Sequence, residues 1–171
     1  MQKSSKTDRE SLLYALNWFL DEVKQFKEVR QVALIGSICT NKPNPKDIDL
    51  LISIKPKTDL KKLATLRRKT QGRIGQGLLG TDMFIVEDGR YLGRLCRYRE
   101  PWPRVVCCND NLICDRTRNY LCNTSNNFSI DKSIINNPPI TIYPKFSTTI
   151  EIPNDVGKVL HPYISQTAKF P

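Results

Sequence analysis

The sequence predicts an α/β (α+β) fold in which a small mixed β-sheet has helices packed on one side. Apolar residues recur at helical spacing near the N-terminus, and three runs rich in Val, Ile and Leu have the composition of strands, at residues 31–35, 47–54 and 81–86. Beyond residue 95 the chain is rich in Cys, Asn, Ser and Pro. We therefore expect a core over residues 1–95 and an irregular, Cys/Pro-rich C-terminal extension over residues 96–171, packed on the core and containing only short strands and a short helix.

The first helix is predicted to begin at a capping box. The Thr7 hydroxyl can accept a hydrogen bond from the amide of Glu10, whose side chain reaches back to the Thr7 amide. The apolar residues that follow share one helical face: Leu12, Leu13, Leu16, Phe19, Leu20, Val23 and Phe26. We expect this face to cover one side of the sheet.

A second helix is predicted over residues 59–70, between the second and third strands, with Thr58 as its N-terminal cap. Leu60, Leu63 and Leu66 are expected to face inward. Its basic residues are expected to face solvent: Lys61, Lys62, Arg67, Arg68 and Lys69. Such a basic face is usually only solvated, and the alternative is a track for a nucleic-acid phosphate backbone.

Length and charge bound the class of protein. A chain of 171 residues is long enough for its own core, and a formal net charge of +10 favours a polyanionic partner, either nucleic acid or nucleotide phosphates. Charge alone is equally consistent with Lys and Arg that only keep the protein soluble. The sequence has no apolar run as long as a membrane span and no apolar signal segment, so we expect a cytoplasmic protein.

Asp47 and Asp49 are the residues that most need a chemical explanation. Side chains alternate along a strand, so both acids project from one face, about 6–7 Å apart along the chain, and Leu51 continues that face. The opposite face is apolar: Ile48, Leu50, Ile52 and Ile54. Two carboxylates this close raise one another's pKa unless a cation lies between them, and Mg²⁺ (or Mn²⁺) prefers such oxygen ligands.

This stretch resembles the nucleotidyltransferase superfamily of the DNA polymerase β type. The family motif is an apolar residue, Gly, then Gly or Ser, a variable loop, and an acidic–apolar–acidic triplet that opens a strand. The corresponding segments here are Ile35-Gly36-Ser37, the loop 38–46, and Asp47-Ile48-Asp49. The resemblance covers roughly residues 7 to 90. The loop departs from the commoner pattern, because it lacks an Arg and a further Gly and contains two prolines.

The resemblance implies an activity and a set of site residues. Enzymes of this family move a nucleoside monophosphate from a nucleoside triphosphate to an acceptor hydroxyl, and pyrophosphate leaves. By resemblance, Asp47 and Asp49 bind two Mg²⁺ ions, and Gly36 and Ser37 hold the terminal phosphates. A third carboxylate is implied on a later, neighbouring strand. Asp82 has that place, where it binds the ion next to the attacking oxygen and can accept its proton.

Each assignment has a structural alternative. Gly36 and Ser37 can simply end a strand. Lys46, in the loop, can meet phosphates, although exposed loop lysines are usually only solvated. Asp82 can hydrogen-bond a neighbouring turn instead of binding metal. Residues 75–80 spell G-x-G-x-x-G, but they follow a helix and precede a strand, the reverse of a dinucleotide site, and therefore predict a connection.

The segment after residue 90 offers two further candidates. Its arginines are interleaved with aromatic residues and could contact nucleic acid, or form a solvated edge strand: Arg90, Arg94, Arg97 and Arg99. Four of its cysteines could supply a structural zinc site: Cys96, Cys107, Cys108 and Cys114. Because no C-x₂-C pair occurs, buried thiols are the simpler expectation.

Two functions are consistent with these features. The first is a metal-dependent nucleotidyltransferase with an unidentified acceptor hydroxyl. The alternative is a catalytically silent module of the same fold, which binds nucleic acid or a protein partner in the manner of a toxin–antitoxin system. Mg²⁺-dependent nucleotide binding would favour the first. Salt-sensitive oligonucleotide binding that is indifferent to Asp49→Asn would favour the second.

Overall fold

The computed structural model describes residues 7–75, 78–96, 120–122 and 129–164. Within these residues, seven strands form one mixed sheet, accompanied by four α-helices and a short 3₁₀ turn, Ser37–Cys39. The elements are, in chain order, α1 (Asp8–Val23), β1 (Val29–Ile35), β2 (Asp47–Ile54), α2 (Lys61–Ile74), β3 (Gly80–Glu87), β4 (Arg90–Leu95), β5 (Leu121–Cys122), α3 (Lys132–Asn136), β6 (Ile140–Tyr143), β7 (Ser147–Thr148) and α4 (Asn154–Ile164). The predicted combination of a mixed sheet and helices is confirmed.

The strand order places β2 and β3 near the centre of the sheet. The order is β5-β4-β3-β2-β1-β6-β7. Strands β2 and β3 are parallel, as expected for two strands joined through a crossover helix, and the other neighbouring pairs are antiparallel. Parallel pairing brings the N-terminal ends of β2 and β3 to the same edge of the sheet, and both of these ends carry acidic residues.

Three helices cover one face of the sheet. The main apolar core joins α1, α2 and α4 to the even-numbered face of β2, which holds Ile48, Leu50, Ile52 and Ile54 as predicted. The capping box at the start of α1 is also confirmed. Thr7 Oγ1 accepts from the Glu10 amide at 3.2 Å, and Glu10 Oε2 accepts from the Thr7 amide at 2.8 Å.

The opposite face is covered as well, which differs from the expectation of helices on one side only. A smaller apolar cluster there joins Ala33, Leu51 and Phe84 to Ile130 and Ile135, at the short helix α3. Strands that are apolar on both faces need cover on both faces, because exposed apolar surface is unfavourable in water. Asp49 lies on this second face.

Helix α2 differs from the prediction in two respects. It begins at Lys61 rather than residue 59, and Thr58 does not cap it but donates a hydrogen bond to the Lys55 carbonyl at 2.6 Å. Arg67 does not face solvent, since only 4 % of the residue is exposed. It lies four residues after Leu63, on the inward stripe of the helix, so its position rather than its charge decided its burial.

The C-terminal extension contributes to the same sheet. Strand β6 pairs with β1, β7 pairs with β6, and α4 joins the main core through Val156 and Leu160. The part of the chain from 140 to 164 is therefore more regular than the expected tail, and the sheet runs across the predicted boundary at residue 95. Among the described helices, none is both long enough and apolar enough to cross a membrane.

Candidate functional site

The parallel pairing of β2 and β3 brings the three predicted acids together. Asp49 pairs in register with Asp82, and Asp47 pairs with Gly80. Because neighbouring strands lie about 4.8 Å apart, the Asp49 and Asp82 side chains are neighbours on one face of the sheet. The chain thus assembles an acidic cluster at one end of its central strand pair, from residues more than thirty positions apart.

Two glycines make room for the acidic pair. Gly36 has φ +76°, in the left-handed region, and a Cβ there would overlap Asp49 Oδ2. A Cβ on Gly80 would overlap Asp47 Oδ1. Each carboxylate therefore occupies the space that a side chain would otherwise fill. The role of Gly80 is not visible in the sequence, because it depends on the register between β2 and β3.

Ser37 and Lys46 lie on either side of the loop that connects the glycine bend to β2. Ser37 begins the 3₁₀ turn, and its carbonyl accepts from Thr40 Oγ1 at 2.8 Å. The Lys46 amine lies 3.4 Å from Asp8 Oδ2 in an exposed ion pair, while its carbonyl accepts from the Gly80 amide at 2.9 Å. The phosphate contacts assigned to both residues remain predictions.

A cleft of about 640 Å³ opens beside the acids, between the second face of the sheet and the region of α3. Its polar lining lies partly on the strand ends and partly next to α3: Gly36, Asp49, Asp82, Arg94, Ser129 and Asp131. Its other lining residues include the apolar side chains of Ile35, Phe84, Ile130 and Ile134. This volume is within the range of small-molecule sites, roughly 300–1,000 Å³.

Two arginines hold Asp82. Arg67 Nη2 donates to Asp82 Oδ1 at 3.1 Å and to the Thr81 carbonyl at 2.6 Å. Arg94 Nη1 donates to Asp82 Oδ2 at 2.7 Å. Arg67 was predicted to face solvent, and Arg94 either to contact nucleic acid or to lie on a solvated edge strand, so neither contact with Asp82 was predicted. Side chains on other elements supply the counter-charge that the resemblance assigns to a metal ion.

Helix α2 also fixes the strand that carries Asp82. The side chain of Gln71 donates to the Leu79 carbonyl at 2.9 Å and accepts from the Thr81 amide at 3.1 Å. Together with Arg67, it secures the start of β3 from the helix that precedes it. This arrangement limits the freedom of the Asp82 backbone.

The acidic pair has perturbed proton affinities. Burial raises the pKa of Asp49 to about 6, and repulsion from Asp82 and Asp47 adds to the effect, whereas Arg94 opposes it. Burial and then the charge of Asp82 raise the pKa of Asp47, again against the influence of Arg94. Burial raises the pKa of the nearby Cys39 thiol to about 12, so this cysteine stays protonated near neutral pH.

The acids fit a cation that a ligand helps to hold, rather than a complete protein cage. Among the described residues, no group of three acidic, His or Cys side chains is placed to hold a metal ion. Mg²⁺, however, is usually bound by one or two carboxylates together with substrate phosphates and water. Asp47 and Asp49 can supply the two carboxylates.

The zinc and nucleic-acid candidates fall largely beyond the described residues. Cys96 is a buried free thiol, whereas the other three proposed ligands, Cys107, Cys108 and Cys114, lie outside the described ranges. Arg90 is exposed, and its Nη2 lies 3.8 Å from Glu87 Oε2. Arg97 and Arg99 also lie outside those ranges. Both assignments remain predictions.

Arg9 is a further residue with a structural role that no sequence pattern indicates. Its guanidinium donates to both carboxylate oxygens of Asp155 in α4, at 2.5 and 3.0 Å. It also donates to the carbonyls of Ile38 at 3.3 Å and Lys42 at 3.1 Å. The loop after the glycine bend is thereby tied to α1 and α4. No local signal indicates this, because Asp155 lies 146 residues away.

The comparisons with known proteins give a family but no function. No curated protein and no solved structure is significantly similar to the chain. A family of unknown function, DUF6932, matches residues 2–105, which include the elements from α1 to β4, the glycine bend and all three acids of the cluster. The match spans more than half of the chain, and the protein therefore belongs to this family of unknown function, DUF6932.

Proposed function

We propose that the protein is a metal-dependent nucleotidyltransferase with a polymerase-β-type fold. It would transfer a nucleoside monophosphate from a nucleoside triphosphate to an acceptor hydroxyl and release pyrophosphate. The observation that supports this proposal best is the register of Asp49 with Asp82, with Asp47 beside them and the Gly36 bend against Asp49. Gly36, Asp49 and Asp82 border a cleft whose size suits a nucleotide.

The acids divide the chemical work. Asp47 and Asp49 would hold the cation, whose positive charge, when bound, stabilises charge that develops on the phosphate and favours ionisation of the attacking hydroxyl. Asp82 would bind the cation next to the attacking oxygen and accept the proton of that hydroxyl. The backbone at Gly36 can approach the phosphates closely, because it carries no side chain. The apolar wall of Phe84, Ile130 and Ile134 would exclude water from the cleft.

The electrostatics of the pair also support a cation. Burial and then repulsion between the acids raise the pKa values of both carboxyl groups, so their ionisation in the folded protein is unfavourable. A divalent cation relieves this repulsion. Structural ion-pair networks also shift pKa values, and the position of Asp49 in the lining of the cleft is what favours a functional role.

Calorimetric titration of nucleoside triphosphates, with and without Mg²⁺, tests the proposal. We expect Mg²⁺-dependent binding to the wild type and at least about tenfold weaker binding to Asp47→Asn and Asp49→Asn, because each substitution removes a charged ligand. Asp88→Asn is the matched control, since Asp88 is an exposed acid in the turn between β3 and β4. Unchanged binding in Asp49→Asn would reject the proposal. Release of pyrophosphate with candidate acceptors would then test turnover.

A second candidate function is the silent binding module, and one observation favours it. Both carboxylate oxygens of Asp82 accept hydrogen bonds from arginines, which is how a structural acid is usually satisfied. A module of this kind would bind oligonucleotides with an affinity that falls steeply with salt. It would be indifferent to Asp49→Asn, whereas the enzyme would lose Mg²⁺-dependent nucleotide binding.

A further inference from the structure

We infer that Arg94 is a competing counter-ion, which keeps Asp82 from binding a divalent cation until an anionic ligand enters the cleft and attracts the guanidinium. This inference rests on the proposed function. It accounts for the contact that otherwise favours a silent module. It also assigns Arg94 two successive partners, the carboxylate of Asp82 before the ligand arrives and a phosphate of the ligand afterwards.

The two arginines at Asp82 are not equivalent. The Arg67 side chain is only 5 % exposed and also donates to the backbone at Thr81, so it is held on two sides. The Arg94 side chain is 31 % exposed and lines the cleft. Arg67 therefore serves as the permanent anchor of one carboxylate oxygen, and Arg94 covers the oxygen that a ligand in the cleft would meet.

The charges of the cluster explain why the two cations compete. Three acids and two arginines leave one net negative charge when all of them are ionised, with Arg94 close to the acids. A divalent cation at Asp82 would face the guanidinium at short range, and like charges repel strongly in a partly buried site. The cation can therefore bind Asp82 well only when Arg94 lies elsewhere.

A phosphate group is the ligand chemistry that suits a displaced arginine. The guanidinium presents a planar fork of donors that matches phosphate as well as carboxylate oxygens. Gly36, Asp49 and Arg94 border the same cleft, so an anion near the glycine bend would also be near Arg94. If Arg94 left Asp82 to bind a phosphate, Asp82 would become available to the cation. Binding of a polyphosphate would thereby complete the cation site.

Titration with Mn²⁺ in the absence of nucleotide tests whether Arg94 competes with the cation for Asp82, rather than lowering cation affinity through its charge alone. Without nucleotide, we expect Arg94→Gln to bind Mn²⁺ about tenfold more tightly than the wild type, because Asp82 loses its competing counter-ion. The gain should disappear in Arg94→Gln combined with Asp82→Asn. Arg94→Met provides a second variant if the glutamine protein is unstable to heating. Arg30→Gln is the matched control, since Arg30 forms an exposed ion pair with Asp88.

The second measurement is the affinity of the protein for a nucleoside triphosphate in saturating Mg²⁺. This affinity should fall about tenfold in Arg94→Gln, because the phosphate loses the guanidinium as a hydrogen-bond donor. Mn²⁺ affinity that is unchanged or lower in both Arg94 variants would overturn the inference. So would a gain that persists without Asp82, because it would reflect only a general change of charge. The proposed function fails separately, through nucleotide binding that ignores Asp49→Asn. In that case the Mn²⁺ titration of the Arg94 variants still tests whether Arg94 competes with the cation at Asp82.

Discussion

At the scale of single residues, Asp49 links the fold to the chemistry of the cleft. Its pKa of about 6, against an ordinary value of 3.8, means that the folded protein holds this proton more tightly than the unfolded chain does. The stabilisation from the proton is complete below the unfolded value, and it is lost as the pH rises through about 6. At neutral pH the ionised carboxylate opposes folding, unless a cation compensates for it.

The pH dependence of metal-free stability should therefore reveal Asp49. We expect the free energy of unfolding to fall more between pH 5 and pH 7 in the wild type than in Asp49→Asn. The variant has no carboxyl group at position 49 that could release a proton. Urea denaturation at the two pH values measures this difference. Mn²⁺ should reduce the loss in the wild type alone. Identical pH profiles for the two proteins would show that the proton affinity of Asp49 is not raised.

Gly80 and Gly72 form a matched pair for testing the space around the acids. Gly80→Ala should displace the Asp47 carboxylate and weaken Mn²⁺ binding, because a Cβ there overlaps Asp47 Oδ1. Gly72, in the exposed part of α2, has open space at its Cβ position, so Gly72→Ala should leave Mn²⁺ binding unchanged and stabilise the helix by about 0.5–1 kcal/mol. Metal titration and thermal unfolding of both variants check this. Equal Mn²⁺ affinities in the two variants would contradict the proposed role of Gly80.

At the scale of elements, the loop between β1 and β2 depends on two helices from opposite ends of the chain. Arg9 of α1 binds Asp155 of α4 and two carbonyls of the loop. This hydrogen bond to Arg9 is the main cause that lowers the pKa of Asp155. The associated stabilisation is present above the ordinary pKa of an aspartate and is lost as the pH falls through the lowered value.

Removal of the Arg9 contacts should affect stability and ligand binding together. We expect Arg9→Gln to cost about 1.5–3 kcal/mol of unfolding free energy, since it removes charged hydrogen bonds from a largely buried guanidinium. It should also weaken Mg²⁺-dependent nucleotide binding, because the loop is less well held. A double-mutant cycle with Asp155→Asn measures the coupling between the two side chains. Arg30→Gln, which removes only an exposed ion pair, should cost under about 1 kcal/mol. Additive effects of the two substitutions would show that the side chains of Arg9 and Asp155 are not coupled.

At the scale of the whole molecule, the charges are unevenly distributed. The chain carries a formal net charge of +10, whereas the cleft brings together Asp49, Asp82 and Asp131 with Arg94. Exposed lysines on α2, Lys61, Lys62 and Lys69, border a separate groove of about 350 Å³. The basic surface of α2 and the acidic cleft are thus separate parts of the described structure, and under the proposed function they would attract polyanions and hold a cation, respectively.

Nucleic-acid binding by the basic surface can be tested without reference to the acids. If the α2 lysines contact phosphates, oligonucleotide affinity should fall with salt, and each Lys→Gln change should reduce the slope of log affinity against log salt by roughly one. Binding assays at several salt concentrations measure this slope, with Lys24→Gln as a control on α1's C-terminal end. Equal slopes for the wild type and Lys62→Gln would exclude this surface as a phosphate track.

Sequence patterns predicted the parts of the fold that depend on neighbouring residues. Capping at Thr7 and Glu10 is a local interaction, and the helical spacing in α1 reflects a repeat of 3.6 residues. Side-chain alternation in β2 gave the opposite faces of Asp49 and Leu50 correctly. The start of α2 was predicted two residues too early. Thr58 is a residue type that often caps helices, but here its hydroxyl donates to the Lys55 carbonyl.

By itself, the sequence determined that acids at 47 and 49 share a strand face beside a glycine bend, and that a third acid begins a later strand. Only the tertiary structure decided what surrounds them. Arg67 and Arg94 reach Asp82, Gly80 makes room for Asp47, and Arg9 holds the loop. The physical reason is range: helical and strand periodicities act over a few residues, whereas these contacts require a strand register and helix packing that the whole chain creates.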